Sequence, residues 1–216
     1  MRIDPAGWPF VGAGLVFAAL VAAAAGSPYG LAAVVLPAFF LFFFRDPERR
    51  TVLGPREVVS PADGKVMVAG TPTGSFDPAI WQQITIFLSP MDVHVNRMPV
   101  AGKVTSVKYH PGKFLPAYKQ EAGDLNEHTE VALDHGGQTL VVRQIVGILA
   151  RRIVCRVKEG DVVKAGGRFG VMKFGSRMDV FVPQGSTLRV QVGDRVSAGV
   201  TVIAVLPERP QRGTQA

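Results

Sequence analysis

The stretch Gly160-Asp161-Val162-Val163-Lys164-Ala165-Gly166 recurs later in the chain as Gly193-Asp194-Arg195-Val196-Ser197-Ala198-Gly199. A second phrase, Pro61-Ala62-Asp63-Gly64-Lys65-Val66, resembles Pro99-Val100-Ala101-Gly102-Lys103-Val104. Each phrase is a turn that opens onto a strand. Paired turns of this kind predict a compact β-sandwich or barrel-like body, which is built from pseudo-repeated hairpins.

The body around these turns, residues 51–206, has the composition of a mainly β domain. Runs such as Ile84–Leu88, Thr139–Arg143 and Leu188–Val192 are rich in Val, Ile and Thr, and Gly or Pro separates them at short intervals. A long apolar period of 3.6 residues, which would indicate a helix, is missing from this region. The polar tail, residues 207–216, is predicted to be disordered.

The amino-terminal segment, residues 1–50, has a different character. Two apolar runs, Trp8–Ala25 and Leu31–Phe44, flank the turn Gly26-Ser27-Pro28-Tyr29-Gly30, and the second run ends at the polar phrase Arg45-Asp46-Pro47-Glu48-Arg49-Arg50. This pattern predicts a membrane-associated helical hairpin. It either crosses the bilayer twice or re-enters from one leaflet, since the first run is just long enough to span and the second is slightly short.

The distribution of charge predicts on which side of the membrane the body lies and which classes of partner it binds. Both hairpin arrangements leave the amino terminus and the body on one side, and arginines at 45, 49 and 50 predict that this side is cytoplasmic. The formal net charge of +7 favours anionic lipid headgroups. Basic runs interleaved with aromatic residues are missing, so nucleic acid is not an expected partner. Cys155 is the single cysteine and provides neither a disulfide nor a metal-binding pair.

A reactive dipeptide lies late in the chain, within Lys173-Phe174-Gly175-Ser176-Arg177-Met178-Asp179-Val180-Phe181. Gly175 has no Cβ, so its carbonyl is open to attack. The hydroxyl of Ser176 can reach that carbonyl within its own backbone, and with a base nearby such a pair can cut the chain. The alternative is an ordinary Gly-Ser turn between two strands.

Three further stretches contain polar groups that would serve such a serine. Ser60–Gly64 contributes the carboxylate of Asp63, Leu88–Pro99 contributes His94 just after a strand, and Asn126–Glu130 begins another strand with polar side chains. Each is common by itself, because an Asp in a turn is usually a local cap and a lone His is usually structural.

In combination and in this order, the stretches resemble the phosphatidylserine decarboxylase family, in its short, membrane-associated prokaryotic form. The resemblance spans most of residues 56–205. It is carried by four phrases, Pro61–Gly64, Ser89–Pro99, Asn126-Glu127 and Phe174-Gly175-Ser176-Arg177. The apolar hairpin that precedes an Arg-Asp-Pro phrase is similar to the same form.

The resemblance implies a proenzyme that cleaves itself between Gly175 and Ser176. The long chain, residues 1–175, would keep the hairpin, and the short chain, residues 176–216, would begin with a pyruvoyl group made from Ser176. That covalent cofactor, without a metal, would form a Schiff base with phosphatidylserine in the cell membrane and release phosphatidylethanolamine. The two chains would stay together as a protomer, and such protomers could form a homo-oligomer.

The resemblance also implies roles for individual residues. An aspartate, which maps onto Asp63, and a histidine complete a triad with Ser176. Longer relatives have two histidines in the stretch that corresponds to residues 91–99; here His94 matches the first and Arg97 stands at the second. Our hypothesis is that His94 is the base in self-cleavage and the proton donor in turnover, while Arg97 either binds the lipid phosphate or is a solvated arginine. Candidate substrate-binding residues are Asn126, Glu127 and His128.

Two other classes of function remain open at this point. Biotinyl and lipoyl carrier domains are small β-sandwiches with a modified lysine between two similar turns, and Met172-Lys173 lies between the two Gly-Asp turns here. Against a carrier, Gly170-Val171 replaces the usual acidic and small pair, and the first 150 residues would have no role. The remaining alternative is a non-catalytic β domain that is anchored to the membrane for partner binding.

Overall fold

The computed structural model describes residues 2–148, 152–173 and 175–208. Phe174 of the Phe-Gly-Ser-Arg phrase and residues 209–216 of the predicted disordered tail therefore lie outside the described residues. After a 3₁₀ turn at Pro5–Gly7, the described part of the chain forms four α-helices. They are α1 (Trp8–Ala25), α2 (Ser27–Ala33), α3 (Val35–Phe43) and α4 (Ala122–Leu125).

Strands dominate the rest of the described chain, as the short Val-, Ile- and Thr-rich runs predict. In chain order they are β1 (Arg2–Ile3), β2 (Arg45–Asp46), β3 (Glu57–Val59), β4 (Gly64–Gly70), β5 (Trp81–Leu88), β6 (Val95–Arg97), β7 (Gly102–His110), β8 (His128–His135), β9 (Gln138–Val146), β10 (Ile153–Cys155), β11 (Val162–Val163), β12 (Arg168–Met172), β13 (Ser176–Pro183), β14 (Thr187–Leu188), β15 (Arg195–Val196) and β16 (Val202–Val205).

One large sheet organises the body. Its eight strands run in the order β11-β7-β8-β9-β13-β5-β4-β15, and neighbouring strands are antiparallel. Two three-stranded sheets, β10-β12-β6 and β14-β16-β3, accompany it. The prediction of a mainly β fold with an apolar helical start is confirmed. Within the described residues the edge strands β11 and β15 do not pair with each other, so the large sheet is not a closed barrel.

The inward face of the large sheet forms the hydrophobic core. Alternate side chains of its central strands are at most 1% exposed, as the two-residue period of a strand requires. They are Ile84, Ile86, Leu88, Leu140, Val142, Met178 and Val180. Burial of one such side chain contributes about 1.5–3 kcal/mol to folding. Because Ser176 precedes Met178 by two positions on β13, it lies on the same inward face.

The repeated Gly-Asp turns build the two edges of the large sheet in the same way. Gly160 and Gly193 have φ angles of +94° and +103°, in the region that favours glycine. Asp161 and Asp194 each accept a hydrogen bond from the backbone amide three residues earlier, at 3.0 and 2.9 Å. The first turn holds β11 against β7 and the second holds β15 against β4. The sequence repeat is therefore a structural pseudo-repeat.

The apolar hairpin forms helices, with a break in its second run. The first run is helix α1, and Pro5–Ala25 is long and apolar enough to cross a membrane, judged by length and composition. The second run is divided into α2 and α3, so Ser27–Phe43 is a shorter apolar segment. The runs pack closely because Gly30 faces Ala22 and Gly14 faces Pro37, which leaves no room for larger side chains.

The two ends of the hairpin meet on the body. Strand β1 pairs with β2, with Arg2 opposite Asp46, and the amide of Asp4 donates to the carbonyl of Phe44 at 2.8 Å. Phe43 and Phe44 are fully buried and pack with Val171 of β12. The chain therefore enters and leaves the hairpin at one point, next to the small sheet that contains β6 and β12.

Candidate active site

Ser176 begins the central strand of the large sheet. It pairs with Leu88 of β5 on one side and Val146 of β9 on the other, and its side chain is fully buried. Its Oγ has no hydrogen-bond partner among the described residues. A buried hydroxyl without a partner is unfavourable by about 1–3 kcal/mol. Such groups are rare in folded proteins, and a chemical role is one of the known reasons for them.

The peptide before Ser176 depends on two glycines. Gly175 has φ +74°, a left-handed conformation that strains other residues. Gly147 lies opposite, and a Cβ added there would be 2.4 Å from the carbonyl oxygen of Gly175. Any larger residue at 147 would displace that carbonyl. Together the two glycines permit the backbone geometry that the Gly175–Ser176 peptide adopts.

His94 is a buried, neutral base. Its Nδ1 is 3.0 Å from the carbonyl oxygen of Asp92, which can only accept, so Nδ1 carries the proton and Nε2 keeps its lone pair. Nε2 is buried and without a hydrogen-bond partner in the described part of the chain. Burial lowers the pKa of His94 to about 4 and outweighs the opposite effect of Asp92 and Asp63. At neutral pH, Nε2 is therefore free to accept a proton.

Two short connections bring His94 and Ser176 to the same end of the body. Residues 89–93 lead from Leu88, the partner of Ser176, to His94. The carbonyl of His94 accepts from the amide of Met172 at 3.2 Å, and residues 173–175 lead from there back to Ser176. The predicted serine and histidine thus flank the junction between the large sheet and the β10-β12-β6 sheet.

An amide pair in the same interior was not predicted. Gln144 of β9 donates from Nε2 to Oδ1 of Asn96 at 2.8 Å, and both side chains are fully buried. Asn96 Nδ2 and Gln144 Oε1 have no further partner among the described residues. Asn96 follows His94 by two residues, and Gln144 pairs with Met178 on the inward face. A glutamine at an inward position of an apolar strand is the signal that could have found this pair.

Asp63 is held away from direct contact with the base. Its carboxylate accepts from Arg49 at 2.7 Å and from the backbone amide of Ala198 at 2.8 Å. Its charge still raises the pKa of His94, so the carboxylate lies within electrostatic range of the imidazole. Within the described structure, however, Asp63 does not hydrogen bond to His94 or Ser176. The sequence did not indicate the role of Arg49 as its partner.

Arg97 has its charge satisfied within the fold. It is 4% exposed, forms an ion pair with Asp46 at 3.0 Å, and donates to the carbonyl oxygens of Pro47 and Gly166 at 2.9 and 3.1 Å. These bonds fasten the segment after the hairpin onto the body. A lipid phosphate would have to displace them.

The candidate residues Asn126, Glu127 and His128 lie at the start of β8 and contact the neighbouring strands. Asn126 Nδ2 donates to the carbonyl of Val146, the residue that pairs with Ser176, at 2.8 Å. Glu127 hydrogen bonds to the side chain of Tyr109. His128 stacks on His110 with ring centroids 4.5 Å apart, and burial lowers its pKa. Asn126 therefore positions the neighbouring strand, while the other two contact β7.

The residue after Ser176 is fixed on the outward face of the large sheet. Arg177 donates to both carboxylate oxygens of Asp179, at 2.7 and 2.9 Å, and these side chains are 3% and 1% exposed. Thr85 also donates to Asp179 at 2.8 Å, and Arg177 reaches the carbonyl of Lys119 at 3.2 Å. The sequence phrase includes Arg177 but does not show that it is a buried anchor.

The base of the hairpin covers His94. Phe43, the last residue of α3, packs on the imidazole with ring centroids 4.1 Å apart. This contact contributes to the burial that keeps His94 neutral. The apolar hairpin and the candidate site are therefore in direct contact.

Comparison with known proteins identifies a family model and several relatives that match most of this chain. The sequence model described as phosphatidylserine decarboxylase matches residues 36–204. A phosphatidylserine decarboxylase proenzyme of Chlorobium chlorochromatii is 48% identical over 79% of this chain and 81% of its own. Proenzymes of the same name from Chlorobium phaeovibrioides and Burkholderia mallei are 43% and 39% identical, over 89% and 94% of this chain and 88% and 95% of theirs.

Proposed function

This chain belongs to the phosphatidylserine decarboxylase family, and we propose that it converts phosphatidylserine to phosphatidylethanolamine with a pyruvoyl group made from its own Ser176. Family membership makes it a decarboxylase made as a proenzyme. The main support for a pyruvoyl group at Ser176 is the buried Ser176 hydroxyl. It has no hydrogen-bond partner among the described residues, and it follows Gly175, which has a left-handed backbone conformation.

We propose that self-cleavage begins when His94 Nε2 accepts the proton of Ser176 Oγ. Oγ bonds to the carbonyl carbon of Gly175, the C–N bond breaks, and the freed amine takes the proton, which leaves an ester. Loss of the Cα proton of Ser176 with cleavage of its Cβ–Oγ bond then releases Gly175 as a carboxylate. Water adds to the resulting dehydroalanine and ammonia leaves. Holding hydroxyl and carbonyl in one backbone contributes up to about 7–11 kcal/mol in well-oriented cases.

The residues around Ser176 fit a pyruvoyl group at this position. Paired strands hold residue 176 on both sides, and the Arg177–Asp179 ion pair holds the next residue after the bond is cut. When present, the group supplies a ketone that takes up the substrate amine and accepts the electron pair left by carbon dioxide. Because β13 lies between β9 and β5, residues 176–216 stay bound to residues 1–175.

The histidine has a second role in this proposal. Nε2 takes a proton from the substrate ammonium and returns it to the carbon from which carbon dioxide has left. The lowered pKa of His94 makes its protonated form a good donor. Asp63 acts through its charge as a positioning residue. We expect His94→Ala to lose both self-cleavage and decarboxylation, and an unchanged level of either activity would disprove that assignment.

Replacement of the serine tests the central step. Ser176→Ala removes the attacking Oγ, so we expect a single intact chain in lipid, by mass spectrometry, and no decarboxylation. Ser186→Ala is the matched control, since Ser186 is 6% exposed and its Oγ donates to the carbonyl of Pro183 at 2.7 Å. The control should split normally. Normal splitting of Ser176→Ala would exclude the mechanism.

The same mass measurement addresses the carrier alternative. A carrier would remain one chain with added mass at Lys173. That ammonium lies over the ring of Phe10 at 4.8 Å and is partly buried, which gives no support for a modified, swinging lysine.

We propose that the hairpin sits in the cell membrane and that the body lies on its cytoplasmic face. The pairing of β1 with β2 at the hairpin ends and the arginines that follow support this arrangement. Cysteines placed at Arg2 and at Arg50 in a Cys155→Ser background should react with an impermeant reagent in inside-out vesicles only. Labelling of either position in right-side-out vesicles would contradict it.

A further inference from the structure

An apolar cavity of about 380 Å³ lies against Gly175, outside the serine and histidine already described. Its volume is within the range of sites that bind small molecules, roughly 300–1,000 Å³. It opens beside the loop that follows β5 and the loop that precedes α4. Its walls are formed mainly by Phe87, Pro90, Pro116, Ala117, Tyr118 and Ile148.

The rim of this cavity exposes large apolar side chains. Ile148 and Tyr118 are 55% and 59% exposed, and both line the cavity. Met91, next to Pro90, is 58% exposed, and Phe114 on the second loop is 41% exposed. Clustered exposed apolar residues on one surface mark a site of interaction. Their position beside the reactive peptide connects that interaction with the reaction.

A cation stands next to the cavity wall. Arg45 directly follows the hairpin and donates to the carbonyl oxygens of Met91 at 2.6 Å and Phe42 at 2.8 Å. Among the described residues no carboxylate lies within ion-pair distance of it, in contrast to Arg49, which pairs with Asp63. Pro90, the neighbour of Met91, lines the cavity. The Arg45 guanidinium, which has carbonyl partners but no carboxylate partner among the described residues, and the apolar cavity are thus joined by one short loop.

We infer that this cavity binds an acyl chain of the phospholipid substrate, next to the glycerol, while Arg45 binds the phosphate. The inference rests on the proposed function and adds the site for the lipid body. The pairing of an anion-binding group with an apolar cavity matches a diacyl phospholipid, whose phosphate and chains are joined by a short glycerol. The charge of Arg97 is already paired with Asp46, whereas Arg45 has no carboxylate within ion-pair distance among the described residues, so we assign the phosphate to Arg45.

Photo-crosslinking locates the chain directly. The full-length protein in nanodiscs is irradiated with a phosphatidylserine that carries a diazirine on its acyl chain close to the glycerol. We expect tryptic peptides Phe114–Lys119 and Gln144–Arg151, as read from the sequence, to carry the adduct. Adducts confined to peptides of the apolar hairpin would overturn the inference, because the chain would then remain in the bilayer.

Two variants test the cavity and the cation by function. Ile148→Glu places a charge on the cavity rim, and we expect complete self-cleavage, about tenfold lower kcat/KM for long-chain phosphatidylserine and loss of the crosslink. Val162→Glu, at an 84% exposed position on β11, is the matched control and should equal wild type. Arg45→Gln should be processed but lose activity at least tenfold, and Arg45→Lys should restore part of it.

The outcomes separate this inference from the proposed function. If wild type fails to split and decarboxylates nothing, the proposed function is wrong. If wild type is active and crosslinks at the two peptides but Ile148→Glu behaves like Val162→Glu in both measurements, the cavity does not bind the chain. If Arg45→Gln keeps full activity, the phosphate is bound elsewhere and the inference fails in that part.

Discussion

Four buried polar atoms define the site at the scale of single residues. Ser176 Oγ, His94 Nε2, Asn96 Nδ2 and Gln144 Oε1 all lack hydrogen-bond partners in the part of the chain that is described. Each such atom is unfavourable by about 1–3 kcal/mol. Such groups require a specific explanation, and a reactive or ligand-binding role is one of those known. The hydroxyl and the imidazole are therefore available for chemistry.

The buried state of His94 predicts a pH dependence of stability. In the unfolded chain His94 takes up a proton near its ordinary value of 6.5, whereas the folded pKa is about 4. The unfolded state thus binds more protons between these values, so the free energy of unfolding falls as the pH drops from 6.5 towards 4. The loss reaches about 3 kcal/mol.

Denaturant unfolding of Ser176→Ala at several pH values measures this effect without processing. The added substitution His94→Gln should flatten the slope in that window. His135→Gln, at a surface histidine that contacts the carbonyls of Ala101 and Pro55, is the control. An unchanged slope in His94→Gln would mean that another group titrates.

Among the secondary-structure elements, the ends of β9 and β13 determine the geometry of the Gly175–Ser176 peptide. Val146 pairs with Ser176, and Asn126 fixes the carbonyl of Val146. Gly147 then lets the carbonyl of Gly175 approach the end of β9. The buried Arg177–Asp179 pair holds β13 from the opposite face. The strands thus fix the Gly175–Ser176 peptide and the Ser176 side chain, while His94 lies directly before β6.

Gly147→Ala tests that positioning. The new Cβ would lie 2.4 Å from the carbonyl oxygen of Gly175, which must move. Because a small misplacement of reacting atoms can lower a rate about a hundredfold, we expect self-cleavage at least tenfold slower. The time course of chain splitting measures it. Gly12→Ala, where the added Cβ meets nothing within 4 Å, should split at the wild-type rate; equal rates for both variants would contradict this account.

At the scale of the whole molecule, the hairpin and the body form one unit around the site. The two ends of the hairpin pair with each other, and Phe43 and Phe44 are buried against the body. Asp46, at the end of the hairpin, forms ion pairs with Arg97 and Arg168 of the body. The pseudo-repeat gives the body two similar edges. In the other pair of similar phrases, Pro61–Val66 has a carboxylate, Asp63, where Pro99–Val104 has Ala101.

Phe43→Ala should remove the packing contact between the hairpin and the His94 imidazole. Removal of a fully buried phenylalanine lowers stability by about 3–5 kcal/mol. It also uncovers His94, so its pKa should rise from about 4 towards 6.5, as measured by NMR in detergent micelles. Phe17→Ala, at a 51% exposed position of α1, is the control. An unchanged pKa in Phe43→Ala would show that the stacking contact does not keep His94 buried.

Several features could be predicted from the amino-acid sequence, because they depend on residues that are neighbours in the chain. Alternation, turn glycines and apolar runs are local patterns, so they predicted a mainly β body and the start of the helical hairpin at Trp8. The reaction of the Gly175-Ser176 pair stays a prediction. Which charged groups and cavities lie next to each other became apparent only in the folded molecule. Arg49 binds Asp63 together with Ala198, and Arg97 binds Asp46, across long separations in the chain. Nothing local encodes such partners, because a side chain pairs with whichever group the folded strands place beside it.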